Sequence, residues 1–232
     1  MANKKAATAR VSSARPTSGA GRGSSQRPRP SRSVASRNGA TRRADEPSPF
    51  QVARPVSSFE YCRSLIRDVP DFPTPGIVFK DITPLLASPR ALHIVLDGIA
   101  ERFIGEHIDA IVGIEARGFI FGGALAARLN ASFVPVRKPG KLPADVDRVD
   151  LVTEYSRDAL EMHKKSLQEG ARVVVVDDVL ATGGTASAAA TLVRNQGAYV
   201  IGYAFVVELT MLGGRERLLP VRVEACIAYP PA

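Results

Sequence analysis

The chain is poor in the residues that usually announce metal, redox or covalent chemistry. Its 232 residues hold two cysteines, Cys62 and Cys226, which imply no disulfide framework and make a reducing cytoplasm the natural compartment. Its three histidines, His93, His107 and His163, form no ligand cluster, so no metal is assigned to them. Neither a Ser-His-Asp nor a Cys-His arrangement is evident. No apolar run is long enough to cross a membrane, and no apolar core follows Lys4 and Lys5 as a secretory leader would require. Acid is missing from residues 1–44, which carry 11 of the 31 Lys and Arg.

That asymmetry divides the chain. The remaining 20 bases face all 23 acids, a net −3, so the formal charge of +8 belongs to the amino-terminal part. Residues 1–56 are rich in Ser, Arg, Ala, Gly and Pro with almost no large apolar side chains. Such a segment buries too little surface to offset the entropy of ordering it. The expectation is a disordered basic extension over 1–56 and one folded domain over 57–232. A solvated extension is the simplest reading; a nucleic-acid contact and an organelle transit peptide are the alternatives, the latter lacking an amphipathic stripe.

From Ser57 onward, strand-like and helix-like patterns alternate as in an α/β sheet. Helices are predicted from 57 or 58 through 67, from Ser88-Pro89 to 103, over 119–129, over 158–168 with Gly170 as terminator, and over 186–195. Strands are predicted over 110–114, 132–136, from 173, over 199–207 and near 221–227. Residues 142–158 are weakly patterned and read as a lid.

The chemistry concentrates in one stretch. Residues 173–176 are four valines, β-branched and continuously apolar, as expected of a parallel strand covered on both faces. The run ends in Asp177 and Asp178, at the carboxyl edge where open α/β sheets bind ligands. Ala181, Thr182, Gly183, Gly184 and Thr185 then turn into a helix, offering N–H groups, hydroxyls and a positive helix end to a phosphate. A P-loop needs Lys after its last Gly, and a dinucleotide fingerprint needs three spaced glycines; the loop has neither. Adjacent acids repel unless something binds them, so they are read as holding hydroxyls or a hydrated metal.

Strand, acid pair and Thr-Gly-Gly-Thr loop together resemble the type I phosphoribosyltransferases. The resemblance narrows to the adenine phosphoribosyltransferase family through residues 67–84, including Pro73, Pro75-Gly76-Ile77-Val78-Phe79-Lys80-Asp81 and Thr83-Pro84. It continues through Glu115-Ala116-Arg117-Gly118-Phe119, Val136-Arg137-Lys138-Pro139-Gly140-Lys141-Leu142-Pro143, Glu154-Tyr155 and Leu160-Glu161-Met162-His163-Lys164. It covers the chain from about Phe59 to the end.

The resemblance implies a mainly parallel sheet flanked by helices, with a small hood and a mobile lid. It also implies purine salvage: transfer of the 5-phosphoribosyl group of 5-phosphoribosyl 1-pyrophosphate (PRPP) to adenine, giving AMP and pyrophosphate, in a cytoplasmic homodimer. On the same ground, Asp177 and Asp178 hold the ribose hydroxyls, with Mg2+ carried by PRPP beside them, and residues 181–185 grip the 5-phosphate. Arg117, Arg137, Lys138 and Lys141 surround the diphosphate. Val78 and Lys80 offer backbone groups to adenine, Phe79 stacks on it, Leu209 closes the other face, and Glu154 with Tyr155 serves the purine from the lid. The chain departs from the family's lid pattern at Leu151, where a tyrosine is usual, and at Ser156, where glycine is. An oxopurine phosphoribosyltransferase and a ligand-sensing regulator built on the same fold are the competing readings.

Overall fold

The computed structural model describes residues 58–152 and 157–231. Helix α1 (Ser58–Ser64) leads into a ribbon of β1 (Arg67–Pro70) and β2 (Val78–Asp81), then α2 (Thr83–Leu86) and α3 (Pro89–Glu101). The chain continues through β3 (Ala110–Ile114), α4 (Gly118–Leu129), β4 (Ser132–Val136) and the hairpin strands β5 (Val146–Val152) and β6 (Arg157–His163). It closes with β7 (Arg172–Leu180), α5 (Gly184–Asn195), β8 (Tyr199–Leu209), a 3-10 turn (Thr210–Leu212), α6 (Gly214–Leu218) and β9 (Val223–Tyr229).

Five strands form one parallel sheet in the order β4-β3-β7-β8-β9. The valine run explains how it is buried. Side chains alternate across a strand, so Val173 and Val175 face α5 with Ala189, Leu192 and Val193. Val174 and Val176 face the opposite layer, with Val95 and Ile99 of α3 and Phe121 and Leu125 of α4. Each fully buried valine contributes about 1.5–3 kcal/mol relative to an exposed one, which makes this central strand the axis of both cores.

Local chemistry sets the helix ends. Ser88 caps α3, its hydroxyl accepting from Ala91 N at 3.3 Å, and Pro89 follows at the first helical position. Gly183, at φ +74°, supplies the left-handed residue that lets the chain enter α5.

Several sequence expectations need correction. The helix expected over 158–168 is instead strand β6, and His163 stands on that strand. Leu, Glu and Met at 160–162 favour helix locally, but β6 pairs antiparallel with β5 from Val146↔His163 to Leu151↔Asp158 and buries Leu160 and Met162 in the core. Tertiary pairing overrides that weak propensity. Part of the expected lid segment, residues 146–152, is likewise strand β5, whose apolar Val146, Val149 and Leu151 break the period-2 pattern. Gln196, just after α5, ties the hairpin down by donating to Asp147 Oδ2 at 2.9 Å and His163 O at 2.8 Å. The first helix ends at Ser64, and Arg67, placed at its end by sequence, opens β1. The last strand starts at Val223.

Candidate active site

Because all five sheet strands run the same way, the ends of β3, β4, β7 and β8 open on one edge. There a cleft of about 530 Å³ is lined by Glu115, Ala116, Arg117, Lys138, Leu151, Asp158, Asp177, Asp178 and Thr185, among others. A larger hollow of about 640 Å³ lies at the opposite edge, between Asp109, Ser132 and Glu169. It presents two acids and no basic side chain, so it does not suit a polyphosphate.

Asp177 and Asp178 follow the four buried valines of β7. Asp177 Oδ1 accepts the backbone N–H of Asp178 at 2.8 Å. Loss of water around Asp177, and next the charge of Asp178, push its carboxyl well above the usual carboxylate range. Asp178, with its side chain 7% exposed, is ion-paired to Arg117 Nε. Arg117 follows a cis Glu115–Ala116 peptide. Its guanidinium also lies 5.4 Å from the centre of the Phe79 ring. Arg117 thus touches both the acid pair and the hood.

The cations after β4 are organised by a residue that sequence reasoning quoted within a motif but gave no role. Glu115, its side chain 6% exposed, accepts from Arg137 Nε at 2.9 Å, from Lys138 N at 2.9 Å and from Lys141 Nζ at 3.1 Å. Burial alone would raise its pKa, but these donors outweigh it, and the carboxyl is held below its ordinary value. Buried Glu161 of β6 accepts from Gly140 N at 2.9 Å, and its backbone exchanges hydrogen bonds with Arg137. The loop 137–141 is therefore wound around two carboxylates. A carboxylate at the end of β3 three residues from a Gly-Phe helix start was the available signal. Lys138 Nζ points elsewhere, 3.3 Å from Asp158.

The loop 181–185 forms a small cup before α5. Its back is braced by Gly214, where an added Cβ would stand 2.2 Å from Ala181 O, and Gly183 in turn approaches Gly214 O. In the ribbon, Phe79 packs edge-on to Phe72 at 5.2 Å. Val78 and Lys80 are two apart on one strand, so their backbone groups share an edge. The Lys80 ammonium is committed to Asp68 at 2.7 Å and to the Tyr229 ring at 4.4 Å, which suits a backbone role at this position. Leu209 is partly buried at the end of β8. Glu154 and Tyr155 lie outside the described residues.

Comparison with known proteins agrees with this geometry. The phosphoribosyl transferase domain model matches residues 83–226. An adenine phosphoribosyltransferase of Sorangium cellulosum is 68% identical over 161 residues, covering 69% of this chain and 80% of that protein. The crystal structure of the adenine phosphoribosyltransferase of Thermoanaerobacter pseudethanolicus aligns with a TM-score of 0.72 at 47% identity, over 74% of this chain and 99% of that one. The Saccharomyces cerevisiae enzyme, solved with adenine and an imino-altritol bisphosphate, aligns at 0.69 and 38%, over 73% and 98%. The chain belongs to the adenine phosphoribosyltransferase family.

Proposed function

We infer that this protein is the purine-salvage enzyme that transfers the 5-phosphoribosyl group of PRPP to adenine, releasing pyrophosphate and AMP. The observation that carries the reading is the convergence, at one sheet edge, of an acid pair, a phosphate cup and a cation loop, with an aromatic ribbon alongside.

Each part has a role at the anomeric carbon. Residues 181–185 hold the 5-phosphate through backbone N–H groups and the α5 terminus. Asp177 and Asp178 accept from the ribose hydroxyls and favour the positive charge that develops on the sugar as the bond to pyrophosphate breaks. Arg117, Arg137, Lys138 and Lys141 take the diphosphate, adenine sits between Phe79 and Leu209 with Val78 and Lys80 as backbone partners, and Glu154 takes the imidazole proton with Tyr155 beside it. No bond to the enzyme forms; holding the reactants in line and stabilising charge carries the displacement.

Asp177 and Asp178 are hard oxygen donors and fit Mg2+, which takes a carboxylate or two with substrate phosphates and water. When bound, the metal neutralises charge on the departing diphosphate. Among the described residues no group of three or more His, Cys, Asp or Glu could hold a metal ion.

The folded domain over 57–232 carries the activity, and the basic extension is dispensable to it. Family resemblance supports a homodimer, and two unbridged thiols suit a reducing cytoplasm. No helix of the described residues is long and apolar enough to cross a membrane. Turnover with PRPP and adenine, hypoxanthine or guanine tests the reading: AMP formation is expected with adenine, and activity confined to oxopurines refutes it. Removing residues 1–56 is expected to leave the rate nearly unchanged.

A further inference from the structure

The phosphate cup has no cation of its own. Ala181, Thr182, Gly183, Gly184 and Thr185 are neutral, the acids Asp177 and Asp178 precede them, and Arg117, Arg137 and Lys141, held by Asp178 or Glu115, are the cations assigned above to the diphosphate. A phosphate dianion in the cup needs a positive partner that is still available.

Arg217 on α6 meets that need. Two anchors hold α6 against the cup. One is Gly214, packed on Ala181 with no room for a side chain. The other is Arg215, whose guanidinium grips the buried Glu208 carboxylate through Nε at 2.9 Å and Nη2 at 2.6 Å and donates to Val223 O at 2.7 Å. Two residues on, Arg217 makes no ion pair or hydrogen bond among the described residues and is exposed. Its Nη1 lies 3.1 Å from the point where a Cβ on Gly184 would stand, and Thr182 Oγ1 lies 3.8 Å from that same point. Gly184 is the first residue of α5. A free guanidinium, a loop hydroxyl and the opening turn of the helix therefore face one spot at the rim of the cup.

We propose that Arg217 is a substrate-binding residue that folds over the rim and places its guanidinium on the 5-phosphate of PRPP. The proposal rests on the reading of loop 181–185 as the phosphate site and adds a residue to it. The anchored helix fixes the Arg217 backbone, so only the side chain must move. Its planar fork can meet two phosphate oxygens at once, which a lysine ammonium cannot do.

Ribose 5-phosphate is the probe, titrated calorimetrically into the full chain. Arg217→Ala is expected to weaken its binding and raise KM for PRPP about tenfold, the loss of one charged hydrogen-bonding partner. KM for adenine and the melting temperature should hold, and Arg217→Lys should recover only part of the affinity. Wild-type protein that binds no ribose 5-phosphate overturns the loop reading and the proposal with it. Wild-type binding that Arg217→Ala leaves within twofold overturns the proposal alone. A shift of both KM values together with a fall in melting temperature assigns Arg217 to structure and also overturns it.

Discussion

Gly214→Ala is a substitution of one methyl group in a residue that touches no substrate, yet its effect should be read at the sugar phosphate. The new Cβ would stand 2.2 Å from Ala181 O, 2.8 Å from Leu180 Cδ1 and 3.1 Å from Ala181 C. Leu180 can change rotamer; the Ala181 carbonyl is main chain and cannot. Real Cβ atoms essentially never approach a heavy atom closer than 3.0 Å, so α6 and the cup must separate by about 0.8 Å. Overpacking of this kind costs about 1–3 kcal/mol of stability. The separation displaces the residues proposed to grip the 5-phosphate, and misplacing a substrate by about 1 Å costs on the order of 10²-fold in rate. AMP formation should be measured at a temperature where the melting curve shows the variant folded. The expectation is that kcat/KM for PRPP falls on the order of 10²-fold while adenine binding changes little. A folded variant with kcat/KM for PRPP within about threefold of wild type, below one half of a tenfold step in free energy, would refute the brace.

Other substitutions separate charge from packing. Asp178→Asn keeps shape and burial but removes the counter-charge of Arg117, whose side chain is 45% exposed and can rehydrate; turnover should fall on the order of 10²-fold with little change in a urea melt, and undiminished turnover would disprove the role. Asp177→Asn relieves a repelled, desolvated carboxylate, so the ligand-free protein should melt at a higher temperature near neutral pH while activity drops. Glu115→Gln should raise KM for pyrophosphate in the reverse reaction, since the negative charge is lost and one of the two oxygens that accept from Arg137, Lys138 N and Lys141 becomes a donor NH2. Because the folded protein lowers the Glu115 pKa from its ordinary 4.5, its stabilisation is complete above that value and lost as pH falls through the lowered one. The gap in melting temperature between wild type and Glu115→Gln should accordingly be widest at neutral pH and close in acid; a gap that does not narrow would refute the charge argument.

Much of the site was legible because its parts are local. The valine run, the acid pair and the glycine turn are adjacent in sequence, and their places on β7, the sheet edge and the α5 entry follow from a continuously apolar strand buried on both faces and from Gly183. The motif at 115–118 was read through the family resemblance, which gave Arg117 a place beside the diphosphate. What sequence hid is what depends on distant partners. Glu115 acts on residues 22–26 positions away, and Gly214 on Ala181 across two elements. Strand β6 was hidden by helix-favouring residues whose strand form depends on the irregular pattern of β5.

The ribbon of β1 and β2 shares no strand with the five-stranded sheet. On the reading proposed above, the base meets the ribbon through Phe79 and the sheet only at Leu209, the last residue of β8, and the two parts also meet where Arg117 lies over Phe79. Residues 67–81 could drift toward a different purine without disturbing the β7 edge, whereas a change at the β7 edge would reach every substrate at once. With the site as proposed, the ribbon is the part in which base preference can change gradually while phosphoribosyl transfer stays nearly fixed.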